Sequence, residues 1–217
     1  EVSPSAHYHR GGIRVNDGVV SSVKNLFAAG EVVGGANGAN RLSGNAITEA
    51  FVFGELAGRS AAAATEQVRG VSDAATQIIA VIEEMSHRSD RGANPAEAIA
   101  QLQEIMQRDV GPFRTNDGLR RALSAINQIA ADLPSMATGG ALAFNQQLAD
   151  WFALRNMLDV ARVVISAGLG RTESRGAHQR EDFPLMDNDW NHHQVIAQDI
   201  HGVKISRAEV RRTNNNR

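Results

Sequence analysis

One arginine, set in a run of very small residues, is the feature of this sequence best suited to binding chemistry. Residues 34–45 read G-G-A-N-G-A-N-R-L-S-G-N, and Arg41 is their single charged residue. Side chains this small leave backbone N–H groups free to approach an anion or a flat cofactor. Arg41 supplies the fixed charge for such a ligand. The loop predicts an anion or cofactor site, although a surface loop with a solvated arginine has the same composition.

A histidine and a tyrosine lie upstream, shortly before a double glycine. His7 and Tyr8 precede Gly11 and Gly12, in the order H-Y-H-R-G-G-I. Taken alone, a histidine at such a position is more often structural than catalytic.

The elements around the loop are predicted to position it. Residues 24–31 read as a short buried strand that ends at a Gly-Glu turn, and residues 46–64 read as a helix rich in small residues. Residues 16–18, N-D-G, predict a hairpin turn before that strand. This order aims the positive end of a helix dipole at a negative group. The sequence contains neither a G-x-G-x-x-G dinucleotide fingerprint with the required flanks nor a Walker loop.

Four motifs together give a specific resemblance. They are H-Y-x-x-G-G-I, L-F-A-A-G-E and G-A-N-R-L-x-G-N-A in the first 46 residues, and E-S-R-G-A-H-x-R-E-D-F-P at residues 173–184. In this order and spacing, the sequence resembles the flavoprotein subunit of the succinate dehydrogenase and fumarate reductase family, which includes L-aspartate oxidase. The resemblance covers essentially the whole sequence.

The resemblance implies roles for residues that match the motifs. His7 and Arg41 are expected to bind the carboxylates of a dicarboxylate substrate. Contacts to FAD are expected from the following residues: Glu31, Asn40, Ser43, Asn45, Ala46 and Ile47. Glu31 matches the residue at the ribityl chain, and the backbone N–H groups of residues 43–47 match those at the pyrimidine edge of the flavin.

Other parts of the family pattern have no counterpart in the sequence. These parts are the dinucleotide fingerprint, the histidine that carries covalent FAD in many members, and the arginine that donates the proton. We therefore expect no catalytic proton donor in this chain, and FAD shared with a missing N-terminal half of the flavoprotein. The resemblance also implies a further partner, an iron–sulfur electron-transfer subunit.

Composition restricts the other classes of partner. The formal net charge of −2 gives no electrostatic case for nucleic acid. The absence of cysteine excludes disulfides and a cysteine-ligated iron–sulfur cluster within the sequence. There is no apolar run of about 18 residues, so we expect no direct membrane span. We expect a cytoplasmic location, peripheral to the inner membrane where partner subunits hold it there.

Helical periodicity dominates the middle of the sequence. Apolar spacing predicts helices over residues 74–85, 95–108, from Asn116 to Pro134, and 142–169, with Asn94 and Asn116 as N-caps. The predicted core positions share one face of each helix: Ile99, Leu102, Met106, Leu119, Leu123, Ile126, Leu133, Leu148, Phe152, Met157 and Val164. These stripes indicate packing in a bundle of three or four helices, similar to the helical domain of the family.

The last region is predicted to be a charged loop followed by a strand pair. Strands are expected over residues 194–197 and 203–206, with a turn at residues 201–202. The adjacent His192 and His193 would point to opposite faces of a strand, so no metal site is predicted. Two interpretations of the loop at residues 173–178 are open. The loop forms either an internal ion-pair network that fixes the helical domain against the flavin domain, or a surface that faces the active site and a partner subunit, and we favour the network.

These observations predict an α/β and α protein with three parts. Residues 1–66 would be the C-terminal strands and helix of an FAD-binding domain, residues 67–170 a helical bundle, and residues 171–217 a small irregular β region. The expected activity is hydride transfer between flavin and a C4 dicarboxylate, by the fumarate reductase or succinate dehydrogenase chemistry. An L-aspartate oxidase-like flavoprotein and a non-catalytic helical interaction module are the alternatives. The sequence L-S-G after Arg41 favours the dicarboxylate enzymes over L-aspartate oxidase, whose loop usually reads A-N-R-M-A-S-N.

Overall fold

The computed structural model describes residues 7–64, 73–87, 92–199 and 202–210. Within them the chain is rich in helix, and it divides into two units. The first unit comprises Glu1–Val68, Arg175–Ala177 and Ala208–Arg217, and the second comprises Arg69–Ser174 and His178–Arg207. The three-part division at residues 66 and 170 stays a prediction.

Four helices form most of the second unit. They are α2 (Asp73–Ser86), α3 (Pro95–Asp109), α4 (Asn116–Asp132) and α5 (Gln146–Gly170), whereas α1 (Asn45–Ala63) belongs to the first unit. The helices α3, α4 and α5 pack against one another. The bounds of α1 to α4 lie within one or two residues of those that the apolar spacing predicts.

Side chains just before the helices explain where they begin. The side-chain oxygen of Asn94 accepts a hydrogen bond from the backbone N–H of Ala96, and Pro95 is the first residue of α3, as predicted. The prediction for α4 is wrong by one residue, because its N-cap is Thr115, whose hydroxyl accepts from Gly118 N–H. Asn116 lies inside the first turn and accepts instead from the Arg120 side chain.

The fifth helix begins later than predicted. Its N-cap is Asn145, which accepts a hydrogen bond from Leu148 N–H, so residues 142–144 precede the helix. Phe144 has a φ of 58° and an exposed side chain. A phenylalanine in the left-handed region does not continue an α-helix.

The core of the second unit lies between these helices. Leu102, Leu119, Ile126, Leu154 and Ile165 are at most 1% exposed. Each predicted core position is buried or packs against the core as a partly buried side chain. The side chains of α3, α4 and α5 therefore form a packed interior.

The first unit contains little regular sheet. The turn at residues 16–18 forms as predicted, because Asn16 Oδ1 accepts from Gly18 N–H and Val20 N–H. The predicted strand at residues 24–31 is wrong: Phe27 makes a single bridge to Val20, and Gly30–Val32 is a 3-10 helix. Asn25, with a φ of 63°, interrupts extended pairing in this segment.

Two small sheets complete the second unit. Strands β1 (Phe113–Arg114) and β2 (Gln179–Arg180) pair in parallel, and β3 (His192–Asp199) forms a second sheet with β4 (Gly202–Glu209). The predicted strand pair is thus present and longer at both ends. Its predicted turn lies partly at residue 201, outside the described residues. In the described parts of the chain, no helix has both the length and the hydropathy to cross a bilayer.

Buried charges connect the loop after α5 to the helices of the second unit. Arg180 is 2% exposed; it pairs with the carboxylate of Asp182 and donates to the carbonyl oxygen of Gly168. Glu173 is fully buried, and its two carboxylate oxygens accept from Arg171 and from Asp187 N–H. The pairs Arg171–Glu173 and Arg180–Asp182 satisfy charges that this loop buries. The predicted role of such a network, to fix the helical domain against the flavin domain, stays a prediction.

Candidate active site

Arg41 and Tyr8 form the centre of the candidate site. The guanidinium carbon of Arg41 lies 4.7 Å from the centroid of the Tyr8 ring. Its Nη1 donates to the carbonyl oxygen of Leu42 at 3.1 Å. Its Nε is buried and has no hydrogen-bond partner among the described residues. A half-buried guanidinium with an unused donor is suited to bind an anion.

The candidate site contains a buried carboxylate that the sequence analysis missed. Glu49, in the second turn of α1, is 6% exposed. Its Oε2 accepts hydrogen bonds of 2.7 Å from the Tyr8 hydroxyl and from the Asn37 side-chain amide. The hydrogen bond to Glu49, with burial, raises the pKa of Tyr8 above its ordinary value. The Tyr8 hydroxyl therefore remains protonated and serves as a donor to Glu49.

The segment that carries His7 also contacts two of the predicted cofactor residues. The backbone N–H of His9 donates to Glu31 Oε1 at 2.8 Å, and Arg10 Nη2 donates to Asn40 Oδ1 at 2.8 Å. His7 itself is exposed and immediately precedes Tyr8. The structure thus brings Glu31, Asn40 and Arg41 to the segment that begins at His7.

The double glycine explains how this segment reaches the loop. Ile13 N–H donates to Val32 O, and Gly34 N–H donates to Ile13 O, which pairs the two backbones. At Gly12 the φ is +150°, and a Cβ would lie 2.1 Å from the Val32 carbonyl oxygen. Only glycine allows this close approach, and the motif G-G-I follows from it.

The remaining predicted cofactor residues lie where α1 begins. Gly44 is the N-cap, with a φ of 88°, so no side chain caps the first turn. Asn45 N–H bonds back to Leu42 O. Ser43 and Asn45 are exposed, Ala46 is half-buried, and the Ile47 side chain is 69% exposed. Uncapped backbone N–H groups beside exposed apolar side chains can receive the electron-rich edge of a flat ring.

A segment distant in sequence also belongs to this unit. The backbone N–H of Ala177 donates to the carbonyl oxygen of Ala39 at 2.9 Å. Ala39 lies two residues before Arg41. An ion-pair network and a surface facing the active site were the two predictions for residues 173–178, and neither included this backbone contact. The G-A in the E-S-R-G-A-H motif was the available signal.

A metal site receives no support from the described residues, in which no three histidine or acidic side chains are close enough to hold an ion. In the second unit, His192 Nδ1 lies 3.0 Å from the carbonyl oxygen of Asp189, and its ring stacks on Trp190. Its Nε2 is buried and has no hydrogen-bond partner among the described residues.

Two protein families match the chain. The fumarate reductase flavoprotein C-terminal family matches residues 99–216, and an FAD-binding domain family matches residues 1–47. The first match covers more than half of the chain, so the chain belongs to the succinate dehydrogenase and fumarate reductase flavoprotein family. The family resemblance inferred from the motifs is confirmed, and the two matches indicate FAD as the cofactor.

Individual relatives agree with this assignment. The chain is 41% identical over 198 residues to one subunit of the fumarate reductase (CoM/CoB) of Methanothermobacter marburgensis, covering 88% of this chain and 35% of that protein. It is 36% identical over 192 residues to L-aspartate oxidase of Rhodospirillum rubrum, covering 88% of this chain and 61% of that protein. The solved structure of Mycobacterium smegmatis Sdh1 in complex with UQ1 matches 94% of this chain and 36% of its own, with a TM-score of 0.86 and 32% identity. The chain thus spans about a third of the length of the Methanothermobacter marburgensis relative.

The donor set of the site fits part of FAD. The first turn of α1 presents backbone N–H groups that no side chain caps. The exposed side chains of Leu42 and Ile47 offer an apolar surface beside them. Both features suit the pyrimidine edge of a flavin, which carries negative charge when the ring is reduced.

Proposed function

We propose that this chain supplies the substrate-carboxylate site and the flavin-edge contacts of an FAD-dependent dicarboxylate oxidoreductase. The observation that carries the proposal is Arg41, whose half-buried guanidinium lies over Tyr8 and keeps Nε without a partner among the described residues. A donor withheld from solvent and left unpaired is costly unless a ligand uses it. A carboxylate is the ligand that matches an arginine donor best.

Arg41 and His7 would have separate roles in binding the substrate. Arg41 would bind one carboxylate through charge-assisted hydrogen bonds and draw electron density from the adjacent carbon atoms. His7, next to Tyr8, would be the second donor. Together the two groups would fix the orientation of a small dicarboxylate before reaction.

The flavin contacts would come from the residues around α1. Ala46 and Ile47 would present backbone N–H groups to the ring edge, and Glu31 would contact the ribityl chain, with Asn40, Ser43 and Asn45 completing the set. When bound, FAD supplies the ring that exchanges a hydride with the C4 dicarboxylate. The donors at the start of α1 favour negative charge at the edge that they face.

The rest of the enzyme would come from an N-terminal half of the flavoprotein. On α1 the side chains of Ile47, Phe51 and Val52 are all more than 50% exposed. An apolar surface of this kind supports a covering partner, and we assign it to that half. The proton donor and the pyrophosphate contacts would lie there, and an iron–sulfur subunit would exchange electrons with the flavin.

L-aspartate oxidase activity is the second candidate. The identity to the Rhodospirillum rubrum enzyme supports it, because the match covers 61% of that protein. The sequence L-S-G at residues 42–44 supports the dicarboxylate enzymes instead. Turnover of fumarate, succinate and L-aspartate by the same preparation distinguishes the two.

The test is removal of the Arg41 side chain in the holoenzyme. Arg41→Ala should lower kcat/KM for fumarate and succinate about a hundredfold or more, because a charge-assisted contact to the substrate is lost. Arg59→Ala is the matched control, since Arg59 lies on the exposed side of α1 and pairs with Glu55. Equal kinetics for wild type and Arg41→Ala would contradict the proposal.

A further inference from the structure

The burial of Glu49 requires an explanation that packing does not provide. In α1, which the structure describes in full, Glu49 is the one buried residue. The apolar neighbours Ile47, Phe51 and Val52 on the same helix are exposed. Burying a carboxyl group costs free energy unless hydrogen bonds replace its water. Glu49 has such replacements, because its Oε2 accepts two hydrogen bonds.

The two hydrogen-bond donors to Glu49 are each connected to Arg41. The Tyr8 hydroxyl donates to Glu49 Oε2, and the Tyr8 ring lies beneath the Arg41 guanidinium. The Asn37 amide donates to the same oxygen, and Asn37 lies in the loop that carries Arg41. Glu49 Oε2 thus holds two groups that support Arg41. One is the Tyr8 ring, on which the guanidinium stacks, and the other is the loop that carries Arg41.

We propose that Glu49 is a positioning residue for substrate binding, which acts on Arg41 through Tyr8 and Asn37. The inference rests on the proposed role of Arg41. Glu49 acts as an acceptor of two hydrogen bonds, and it orients the guanidinium by fixing its support. Loss of the acceptor releases the Tyr8 ring and the loop, so Arg41 samples orientations that do not bind the substrate.

If Glu49 acts as a hydrogen-bond acceptor, variants that keep the acceptor should differ from variants that remove it. In Glu49→Gln the side chain keeps its shape and an oxygen that accepts from Tyr8 and Asn37. In Glu49→Leu the volume is similar and both hydrogen bonds are lost. Tyr8→Phe keeps the ring beneath Arg41 and removes one donor, so it tests the same connection from the other end.

The experiment measures the affinity of the holoenzyme for malonate, a dicarboxylate that cannot exchange a hydride, by titration calorimetry. We expect Glu49→Leu to weaken malonate binding about tenfold and to raise KM more than it lowers kcat. Glu49→Gln should stay within about threefold of wild type, and Tyr8→Phe should fall between the two. The double variant Glu49→Leu with Tyr8→Phe should bind malonate as Glu49→Leu does, because both changes remove the same contact.

Separate outcomes test the positioning role and the proposed function. A purely structural role would lower flavin content, the free energy of unfolding and kcat while the malonate Kd stays unchanged, and this result would overturn the inference. If Glu49→Leu does not fold, an unchanged malonate Kd in Tyr8→Phe overturns it equally. If Arg41→Ala binds malonate as wild type does, the proposed function fails, whatever the Glu49 variants show.

Discussion

The Ala177 N–H and the Ala39 carbonyl oxygen form a 2.9 Å hydrogen bond that joins the R-G-A segment at residues 175–177 to the loop of Arg41. The preceding residue, Gly176, has a φ of 58°, and a Cβ built on it would lie 2.3 Å from the same Ala39 oxygen. The motif therefore needs a glycine here for two reasons, the backbone angle and the close approach.

Replacing Gly176 by alanine should lower the free energy of unfolding by more than the cost of placing an alanine in the left-handed region. Gly38→Ala is the matched control, because Gly38 has a φ of 54° and no atom within 4 Å of a built Cβ. We expect Gly38→Ala to lower the free energy of unfolding by about 1 kcal/mol, the cost of a left-handed alanine. Gly176→Ala should lower it by about 1 to 3 kcal/mol more, because Ala39 must move.

Urea unfolding of the two variants measures this difference. Displacement of Ala39 should also weaken the affinity of Gly176→Ala for malonate. If Gly176→Ala and Gly38→Ala have equal free energies of unfolding, the close approach to Ala39 does not add to the loss of stability and the prediction is wrong.

The ring of His178 is held in the neutral form by its neighbours. Its Nδ1 lies 3.2 Å from Arg114 Nη1, a group that can only donate, so Nδ1 accepts. Its Nε2 lies 3.3 Å from the carbonyl oxygen of Arg171, to which an N–H donates. Burial and the Arg114 guanidinium lower the pKa of His178 to about 4.

This shift predicts a loss of stability in mild acid. An unfolded histidine takes up its proton near pH 6.5, before the folded one does, so the contribution of His178 is complete above that pH and is lost as pH falls towards 4. The loss should reach about 2 to 3 kcal/mol by pH 4. Pairing with Arg180 lowers the pKa of Asp182 to about 2, so its contribution is lost only at lower pH.

The measurement compares urea unfolding of wild type and His178→Gln at pH 7.5 and pH 5.0. Glutamine cannot titrate, so the variant should lose less free energy of unfolding between these two pH values than wild type does. Equal losses would show that His178 does not control stability in this range.

The N-cap of α3 offers a direct test of the bundle. Asn94 Oδ1 accepts from Ala96 N–H at 3.0 Å. Asn94→Ala should lower the free energy of unfolding by about 1 kcal/mol. Asn127→Ala, at an exposed interior position of α4, should be neutral or slightly stabilising, because alanine is the better helix former there. Thermal and urea unfolding of both variants should give these opposite results.

Local chemistry predicted the helical bundle well. Asn94 with Pro95, and the apolar spacing of α3 to α5, contain the necessary signals within a few residues. The prediction failed where neighbouring residues compete, as at Thr115 and Asn116, which are both good caps. It also failed at residues 24–31, because strand formation depends on a partner at the right register and not on local residue type alone.

The candidate site was predictable only in part. The motifs identified Arg41 and its loop, because a charged residue among glycines is visible in the sequence. Glu49 was missed, since an acid within a helix is usually solvated and its partners, Tyr8 and Asn37, lie in other segments. Long-range hydrogen bonds of this kind have no local signature.

Because Glu49 attaches α1 to Tyr8 and Asn37, the number of residues in the segment before Glu49 is fixed. Each residue of an α-helix turns the following side chains by about 100°, so one residue inserted in the helix between Asn45 and Glu49 would carry the carboxylate away from Tyr8 and Asn37. Substitutions at the exposed positions of α1 leave that geometry intact. We therefore expect insertions and deletions to be excluded from this interval even where its side chains are free to vary.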